Sequence, residues 1–287
     1  MESIEVIVLL YNGKKHIPEI EKEFHNQKTD LKKSLHYIVT ATGDGTEEDL
    51  TKLKANFSVV KKEDFSHSLT REKAILESKA DAVVLLTQDC RLVCDDALDK
   101  LARCLNEDVK YAYLRQVNSN KTLERYSRMI NYPKTSLIKD QTMIPTLGLN
   151  TFFASDACAI VDRAYFQKVN GFDHLDLPTN EDMYYARKVI LAGKKVEYCA
   201  DTYVDHTHKF TLKQTKQRYY LFGQFFGLCP EFNQYHATDS GLKLAFRILG
   251  LILKEFNIKA LFMFIPNMLA RFFGKRKGQK SVCSSKK

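Results

Sequence analysis

The sequence predicts an α/β fold, in which a mostly parallel sheet is flanked by helices and followed by a C-terminal helical extension. Apolar segments of strand length alternate with amphipathic segments of helix length over the first hundred residues, the order expected for parallel strands joined by helices. The run 82–86 is aliphatic throughout, which is typical of a strand buried on both faces. Beyond Pro230 the composition becomes apolar and basic, which predicts the extension.

The individual elements follow from the apolar pattern. Apolar runs predict strands at 4–10, 37–40, 57–60, 82–86, 109–114, 152–161, 196–199 and 203–205. The first expected helix carries Ile17, Ile20 and Phe24 on one face, at spacings of three and four. Further helices are expected after Thr46, at 69–78, near 98–105, at 181–192 and from Thr211 onward. Region 118–150 is less regular, and the glycine motifs of dinucleotide and P-loop sites do not occur in the sequence.

The number and spacing of the cysteines argue against a domain stabilised by disulfides or by zinc. The seven cysteines are scattered, and the sequence contains no CxxC pair. A disulfide framework or a zinc site is therefore not expected, and a reducing cytoplasm is the predicted compartment. The first residues lead directly into a strand, so no signal peptide is expected.

The positive charge is confined to the C-terminal end. Residues 241–287 hold eleven Lys and Arg against one acid, Glu255, and thus carry +10. The net charge of the chain is +9, so residues 1–240 are close to neutral, at −1. A basic groove on the main body is not supported, which argues against nucleic acid as a partner.

Polar residues follow three of the predicted strands. They are Tyr11-Asn12-Gly13, 42–46 and Thr87-Gln88-Asp89. Ligands of an open parallel sheet bind outside the carboxyl ends of its strands, so these residues predict a polar pocket. Asp89 could hold a divalent cation there, with Mg²⁺ or Mn²⁺ suited to oxygen ligands. Alternatively, Asp89 caps the next helix.

Two later segments add candidate catalytic and ligating groups. Glu181 and Asp182 begin an amphipathic helix, where a carboxylate facing the pocket could act as a general base. The alternative is a capping box between Thr179 and Asp182. His206 and His208 alternate along a strand, so both rings share one face, where one could complete a metal site.

A third candidate is an anion site at the start of the helix near 69–78. His67 and Arg71 lie in its first turn and could reach a diphosphate oxygen. The alternative is a solvated first turn.

In their order and spacing, these segments resemble family 2 glycosyltransferases, and within them the bacterial rhamnosyltransferase branch. The matching stretches span about 4–223: "VIVLLYNG", "TGDGTEED", "DFSHSLTRE", "VVLLTQD", "RQ" at 115–116, "NYP" at 131–133, "FFASDACAIVDRAYFQKVNGFD", "NEDM" and "VDHTHKF". The "TQD", "FSHSLTR" and "RQ…NYP" segments indicate the rhamnosyl branch. The resemblance implies the Rossmann-like GT-A fold over 1–228.

The resemblance also implies roles for individual residues. Asp182 falls on the catalytic base of the family, with Glu181 beside it, and Asp89 falls on the last acid of the DxD metal motif. His206 or His208 falls where the family often places a histidine on the metal or diphosphate. The nucleotide-sugar contacts implied or expected are Tyr11, Asn12, Asp44, His67, Arg71 and Gln88. The chain departs from the family pattern at Thr87, which replaces the first acid of the motif, and near 39–40, where an Asp is usual.

These expectations combine into an inverting enzyme that moves L-rhamnose from dTDP-L-rhamnose onto a saccharide acceptor, with Mn²⁺ or Mg²⁺ as cofactor. A UDP-hexose donor and a catalytically weak scaffold of the same fold are the alternatives.

The segment 229–287 is predicted to form a basic amphipathic helical tail. Its longest apolar runs, 248–253 and 260–265, have six residues each, and a bilayer span needs about twenty. Its mixture of Leu, Phe and basic residues is typical of interfacial helices, which predicts a peripheral protein on the inner, anionic face of the cell membrane and a lipid-linked acceptor. The alternative is a helical pair that packs on the body or on a second subunit. The aromatic stretch 219–226 could form a homodimer contact.

Overall fold

The computed structural model describes residues 1–236 and 241–285. The helices are α1 (Ile17–Asn26), α2 (Thr46–Lys52), α3 (His67–Glu77), α4 (Ala97–Arg103), α5 (Leu123–Asn131), α6 (Ile144–Leu147), α7 (Arg163–Lys168), α8 (Glu181–Leu191), α9 (Leu212–Leu228), α10 (Gly241–Lys254) and α11 (Ile258–Ser285). The strands are β1 (Ser3–Tyr11), β2 (Lys32–Thr40), β3 (Asn56–Val60), β4 (Ala82–Thr87), β5 (Cys90–Arg91), β6 (Val109–Val117), β7 (Leu137–Lys139), β8 (Cys158–Asp162) and β9 (Lys195–His206).

The strands of the described residues form one mixed sheet, which confirms the predicted α/β class. Its order is β3-β2-β1-β4-β8-β6-β9-β5, with β7 added on β9. The pairs β3–β2, β2–β1, β1–β4 and β6–β9 are parallel, whereas β8 runs antiparallel to both of its neighbours. The carboxyl ends of β1, β2 and β4 therefore meet at one edge, as the sequence predicts.

Both faces of the sheet are covered by hydrophobic cores. Alternate residues of β4 point to opposite sides, so that Val83 and Leu85 join one core and Val84 and Leu86 join the other. All of 82–86 is buried, as its aliphatic composition predicts. Ile17, Ile20 and Phe24 of α1 are buried against the second of these cores.

Three predicted strands differ from the structure. The segment expected as a strand at 152–161 is extended only in β8, because 149–152 forms a 3₁₀ turn and 153–157 is irregular. The two short strands expected at 196–199 and 203–205 are one strand, β9, whose pairing with β6 shifts register between Leu114 and Arg115. A bulge of this kind separates the two apolar runs without ending the strand.

The C-terminal helices pack on the body. Helices α9 and α11 run in the same direction, because the residue numbers of their contacts increase together. Gly274 lies against the Lys216 carbonyl, and Gly278 lies against the Tyr220 carbonyl. Phe225 and Phe226 of α9 are buried. The aromatic stretch 219–226 thus lies in part under α11, where it is less available to the second subunit that the sequence suggested.

Helix α5 connects the C-terminal helices to the sheet. Arg271 of α11 is buried and bonds Ser127 and Glu124 of α5, with its two Nη atoms 3.2 to 3.3 Å from Ser127 Oγ and Nη2 3.2 Å from Glu124 Oε1. Glu255, which follows α10, accepts from Arg125 at 3.0 Å and from the Tyr126 hydroxyl at 3.1 Å. These bonds hold α5 between the sheet and the C-terminal helices.

Candidate active site

A carboxylate and two imidazoles meet beyond the end of β4. Asp89 follows β4, and His206 ends β9, which pairs with Cys90 of β5. His206 Nε2 lies 3.3 Å from Asp89 Oδ1, and His208 Nδ1 lies 3.2 Å from Asp89 Oδ2. One ligand atom from each residue falls within 4.8 Å of the others, a spacing that can hold a metal ion. Both histidines, rather than one of them, reach this cluster.

The orientation of His206 is fixed by Gln116 of β6. His206 Nδ1 donates to Gln116 Oε1 at 2.8 Å, an acceptor that also receives Arg128 Nη1, while Gln116 Nε2 donates to Ser155 Oγ at 2.7 Å. In the neutral ring this leaves the Nε2 lone pair facing a carboxylate oxygen. Two lone pairs that face each other are stabilised by a cation between them, so the donor set fits a divalent metal.

The pKa values of all three side chains in the cluster are lowered, which favours binding of a cation. Burial lowers the pKa of His206, and burial together with the neighbouring His206 lowers the pKa of His208 to about 3. Both rings are therefore neutral near pH 7, as metal ligation requires. Burial would raise the pKa of Asp89, but the two imidazoles beside it outweigh this effect and hold the pKa below its usual range.

A second group of acids lies at the start of α8. Asp182 Oδ2 accepts the backbone N–H of Asp156 at 3.4 Å, and its Oδ1 accepts that of Met183 at 2.6 Å. Asp182 is half-buried, whereas Asp156 and Glu181 are buried. The Thr179–Asp182 capping box offered as an alternative does not form, because α8 starts after Asn180, which has left-handed backbone angles and no side-chain cap.

The charge of Glu181 is balanced by Arg71. Arg71 Nη1 lies 3.0 Å from Glu181 Oε1, and it also donates to the backbone carbonyl of His67 at 2.9 Å. Both members of the pair are buried. Arg71 therefore joins α3 to α8, while His67 is exposed at the start of α3.

The acids shift each other's protonation. Burial, followed by the charge of Glu181, raises the pKa of Asp156 to about 7, although Arg71 and the Tyr111 hydroxyl oppose the rise. Burial and the charges of Asp156 and Glu181 raise the pKa of Asp182 well above its usual range. A carboxylate whose pKa is raised toward neutrality is a stronger base than a solvated one.

The remaining predicted residues lie at the ends of β1, β2 and β4. The side chain of Gln88 exchanges two bonds with the backbone of Tyr11, at 2.9 and 3.1 Å, and so joins the ends of β4 and β1. The Tyr11 and Asn12 side chains are exposed at this edge. Asp44 accepts from the Thr46 hydroxyl at 2.7 Å and the Thr46 backbone at 3.3 Å, which orders the turn before α2.

The Asp89–His206–His208 cluster and the acids are connected through hydrogen bonds and the backbone between Ser155 and Asp156. His206 bonds Gln116, Gln116 bonds Ser155, and the next residue, Asp156, donates its N–H to Asp182. The sequence did not identify Asp156 or Arg128 as site residues, and Gln116 was noted only within the "RQ" motif at 115–116. Residues 153–157 were expected to continue a strand, and that interpretation concealed the position of Asp156.

Nothing in the sequence indicated that Lys139 of β7 would be buried. Its ammonium group donates to the Tyr113 hydroxyl at 3.2 Å and to the Phe153 carbonyl. Burial lowers its pKa to about 7, against the attraction of Asp182. A single lysine in an irregular region carries no sequence signal for such a position.

The chain is similar to known proteins in sequence. The profile of "Glycosyl transferase family 2" matches residues 5–169. A protein named O-antigen chain rhamnosyltransferase WbaN, from Salmonella anatum, is 33% identical over 236 residues, which cover 80% of this chain and 74% of the relative. The chain is a family 2 glycosyltransferase. The O-antigen chain rhamnosyltransferase RfbN of Salmonella typhimurium is 32% identical, covering 79% of this chain and 73% of the relative.

The family assignment confirms the rhamnosyltransferase branch and the GT-A fold expected from the sequence. Among solved structures, a mannosyltransferase from Pyrobaculum calidifontis, in complex with GDP-Man and Mn²⁺, matches with a TM-score of 0.62 at 13% identity. The match covers 99% of this chain and 88% of the other. At that identity the likeness shows the shared fold. Within the described residues of this glycosyltransferase, no helix combines the length and apolar content that crossing a membrane requires.

Proposed function

We propose that this glycosyltransferase moves L-rhamnose from dTDP-L-rhamnose onto a lipid-linked saccharide during polysaccharide assembly, with inversion at the anomeric carbon. The observation that carries the proposal is the connection between the Asp89–His206–His208 cluster and Asp182, which runs through Gln116 and the backbone of Ser155 and Asp156. It joins a place for a diphosphate-binding cation to a base of raised pKa. The names of the two Salmonella relatives support rhamnose as the sugar.

In the proposed reaction, Asp182 accepts the proton of an acceptor hydroxyl group as that oxygen attacks the anomeric carbon. The bond from this carbon to the diphosphate breaks in the same displacement, and dTDP leaves with the bonding electron pair. One displacement inverts the configuration without a covalent enzyme intermediate. A divalent cation held by Asp89, His206 and His208 would stabilise the negative charge on the departing diphosphate.

Mn²⁺ is the proposed cofactor, in preference to Mg²⁺. Mg²⁺ prefers oxygen ligands and gives up its water reluctantly, whereas two of the three side chains here offer imidazole nitrogen. Thr87, which replaces the first acid of the usual motif, brings no second carboxylate. We propose that Tyr11, Asn12 and Asp44 contact the nucleotide.

The proposal is tested by measuring nucleoside diphosphate release from dTDP-L-rhamnose, UDP-galactose and UDP-glucose in the presence of Mn²⁺. We expect release from dTDP-L-rhamnose to be the fastest, and to be lost in Asp89→Asn. Faster release from a UDP-hexose would show that the donor is that UDP-hexose and not dTDP-L-rhamnose. Absence of release from all three donors would favour a catalytically weak scaffold.

We further propose that α10 and α11 attach the protein to the inner, anionic face of the cell membrane. Eleven large apolar side chains between 246 and 273 are exposed, among them Phe256 at 88% and Phe262 at 78%. Basic residues flank them, and each contributes about 1 kcal/mol near an anionic surface. Changing Phe256, Phe262, Ile265 and Phe272 to Ser should reduce binding to phosphatidylglycerol vesicles at least tenfold. Unchanged vesicle binding would contradict the attachment.

A further inference from the structure

An open groove lies between the first turns of α9 and the middle of α11. One part, of about 430 Å³, is lined by the apolar side chains of Leu212, Pro266, Leu269, Ala270 and Phe273, together with Lys213 and Lys216. An adjoining part, of about 190 Å³, is lined by Lys213, Lys216, Gln217, Tyr220, Gly274 and Lys277. Because Lys213 and Lys216 line both parts, the groove is continuous and changes from apolar to basic along its length.

The groove ends where the two helices come into backbone contact. A Cβ atom added to Gly274 would overlap the Lys216 carbonyl oxygen, and one added to Gly278 would overlap that of Tyr220. Toward its N-terminus α11 bears larger residues, Leu269 and Phe273, both at least half exposed. The shape of the groove is therefore set by glycines at its closed end and apolar side chains at its open end.

The charge at the closed end is uncompensated. Lys213, Lys216 and Lys277 are exposed, and none of their ammonium groups forms an ion pair within residues 1–236 and 241–285. Three ammonium groups beside the apolar part of the groove suit an amphiphilic ligand with an anionic head and a hydrocarbon chain. Lysine provides such point charges for phosphate groups.

The groove is close to the active site along the chain. Lys213, which lines both parts of the groove, follows His208 by five residues, which limits the separation of their Cα atoms to about 18 Å. Between them, the ring of Phe210 stacks on His208, with centroids 4.6 Å apart, and lies under Arg218 at 4.3 Å. A ligand in the groove would thus hold a group attached to its head near the metal-binding cluster.

We propose that the groove between α9 and α11 binds the lipid phosphate of the acceptor, with its phosphate at Lys213, Lys216 and Lys277 and its hydrocarbon chain along Leu269 and Phe273. The inference rests on the proposed function for the identity of that lipid. The proximity to the active site favours the acceptor's own anchor over a bulk phospholipid.

The test measures binding of farnesyl phosphate to the full chain by calorimetry, below the concentration at which this lipid aggregates. EDTA is present so that metal-bound phosphate at Asp89 does not contribute. We expect farnesyl phosphate to bind at least tenfold more tightly than inorganic phosphate or farnesol, because both parts of the groove are used.

Two sets of variants locate the binding. Lys213→Ala/Lys216→Ala/Lys277→Ala and Leu269→Ser/Phe273→Ser should each weaken farnesyl phosphate binding at least tenfold. A control that removes three exposed lysines elsewhere, Lys22→Ala/Lys79→Ala/Lys168→Ala, should leave it unchanged. All eight side chains are exposed, so each variant should retain its melting temperature.

Three results would overturn the proposal. They are equal binding by the wild type and the groove variants, equal affinity for inorganic phosphate and farnesyl phosphate, and equal affinity for farnesyl phosphate and dihexanoyl phosphatidylglycerol when each lipid is below the concentration at which it aggregates. Stabilisation by nucleotides is measured separately on the same protein. If that stabilisation persists while the groove variants bind normally, only the groove assignment is wrong.

Discussion

Arg71 Nη1 lies 3.0 Å from Glu181 Oε1, and both side chains are buried. This ion pair separates the roles of two adjacent acids that the sequence offered together as catalytic. Glu181 is occupied by Arg71, whereas Asp182 keeps a carboxylate that is half-buried and bonded only by backbone N–H groups among the described residues.

Asp182→Asn and Glu181→Gln should therefore have different effects. Because a general base contributes about 10²- to 10⁴-fold, Asp182→Asn should lower kcat at least about 100-fold while leaving the melting temperature nearly unchanged. Glu181→Gln should leave kcat within about tenfold but lower the free energy of unfolding by about 3 kcal/mol, since it leaves Arg71 as an unpaired buried charge. Rate assays and urea unfolding on both variants check this; near-normal turnover by Asp182→Asn would remove it as the base.

Gln116 should control metal affinity without touching the metal. Its Oε1 accepts from His206 Nδ1 and fixes the tautomer that presents Nε2 to the cluster. Partners of this kind typically change metal affinity 10- to 100-fold when they are removed. Gln116→Leu should raise the Mn²⁺ concentration needed for half-maximal activity by that factor, while Gln167→Leu, at an exposed position, serves as the control. An unchanged Mn²⁺ dependence in Gln116→Leu would contradict the role.

Asp156 should make stability depend on pH. Its pKa is raised by burial from 3.8 to about 7, so the folded protein holds a proton that the unfolded chain has lost. The free energy of unfolding therefore decreases as pH rises from about 4 through about 7, because the native state binds more protons over that window. The melting temperature of the wild type should fall between pH 5 and pH 8 by more than that of Asp156→Asn. Parallel curves for the two proteins would show that Asp156 titrates normally.

Two helical glycines provide a matched test of the C-terminal packing. In Gly278→Ala the new methyl group would overlap the Tyr220 carbonyl oxygen, so α11 must move away from α9, whereas Gly250 has no atom within 4 Å of an added Cβ. Gly278→Ala should lower the melting temperature, and Gly250→Ala should raise the free energy of unfolding by up to about 1 kcal/mol through helix propensity. Equal effects of the two substitutions would mean that the α9–α11 contact is not close.

The sequence predicts the parts of the structure that repeat a pattern. The aliphatic run 82–86 identifies β4, and the polar residues after it identify the edge where Asp89 lies, because strand periodicity and burial are local properties. The histidine pair at 206 and 208 is likewise predictable, since a strand turns alternate side chains to one face.

Contacts between distant segments leave no such pattern. The pairing of Arg71 with Glu181 depends on how α3 and α8 pack, over more than one hundred residues of sequence. The position of Asp156 depends on an irregular segment that resembles a strand in composition. The close packing of α11 on α9 depends on glycines. A glycine's role in such a contact can be recognised only when the position of the partner helix is known.

We propose that the Asp89–His206–His208 cluster binds the diphosphate of a dTDP-sugar through a divalent cation. The test is thermal stabilisation of the wild type and of Asp89→Asn by dTDP, UDP and GDP, each with and without Mn²⁺. Ligand bound to the native state raises stability by RT ln(1 + [L]/Kd). We predict that dTDP gives the largest rise, that this rise requires Mn²⁺, and that Asp89→Asn abolishes it. A rise that is the same without Mn²⁺, or that persists in Asp89→Asn, would contradict the claim.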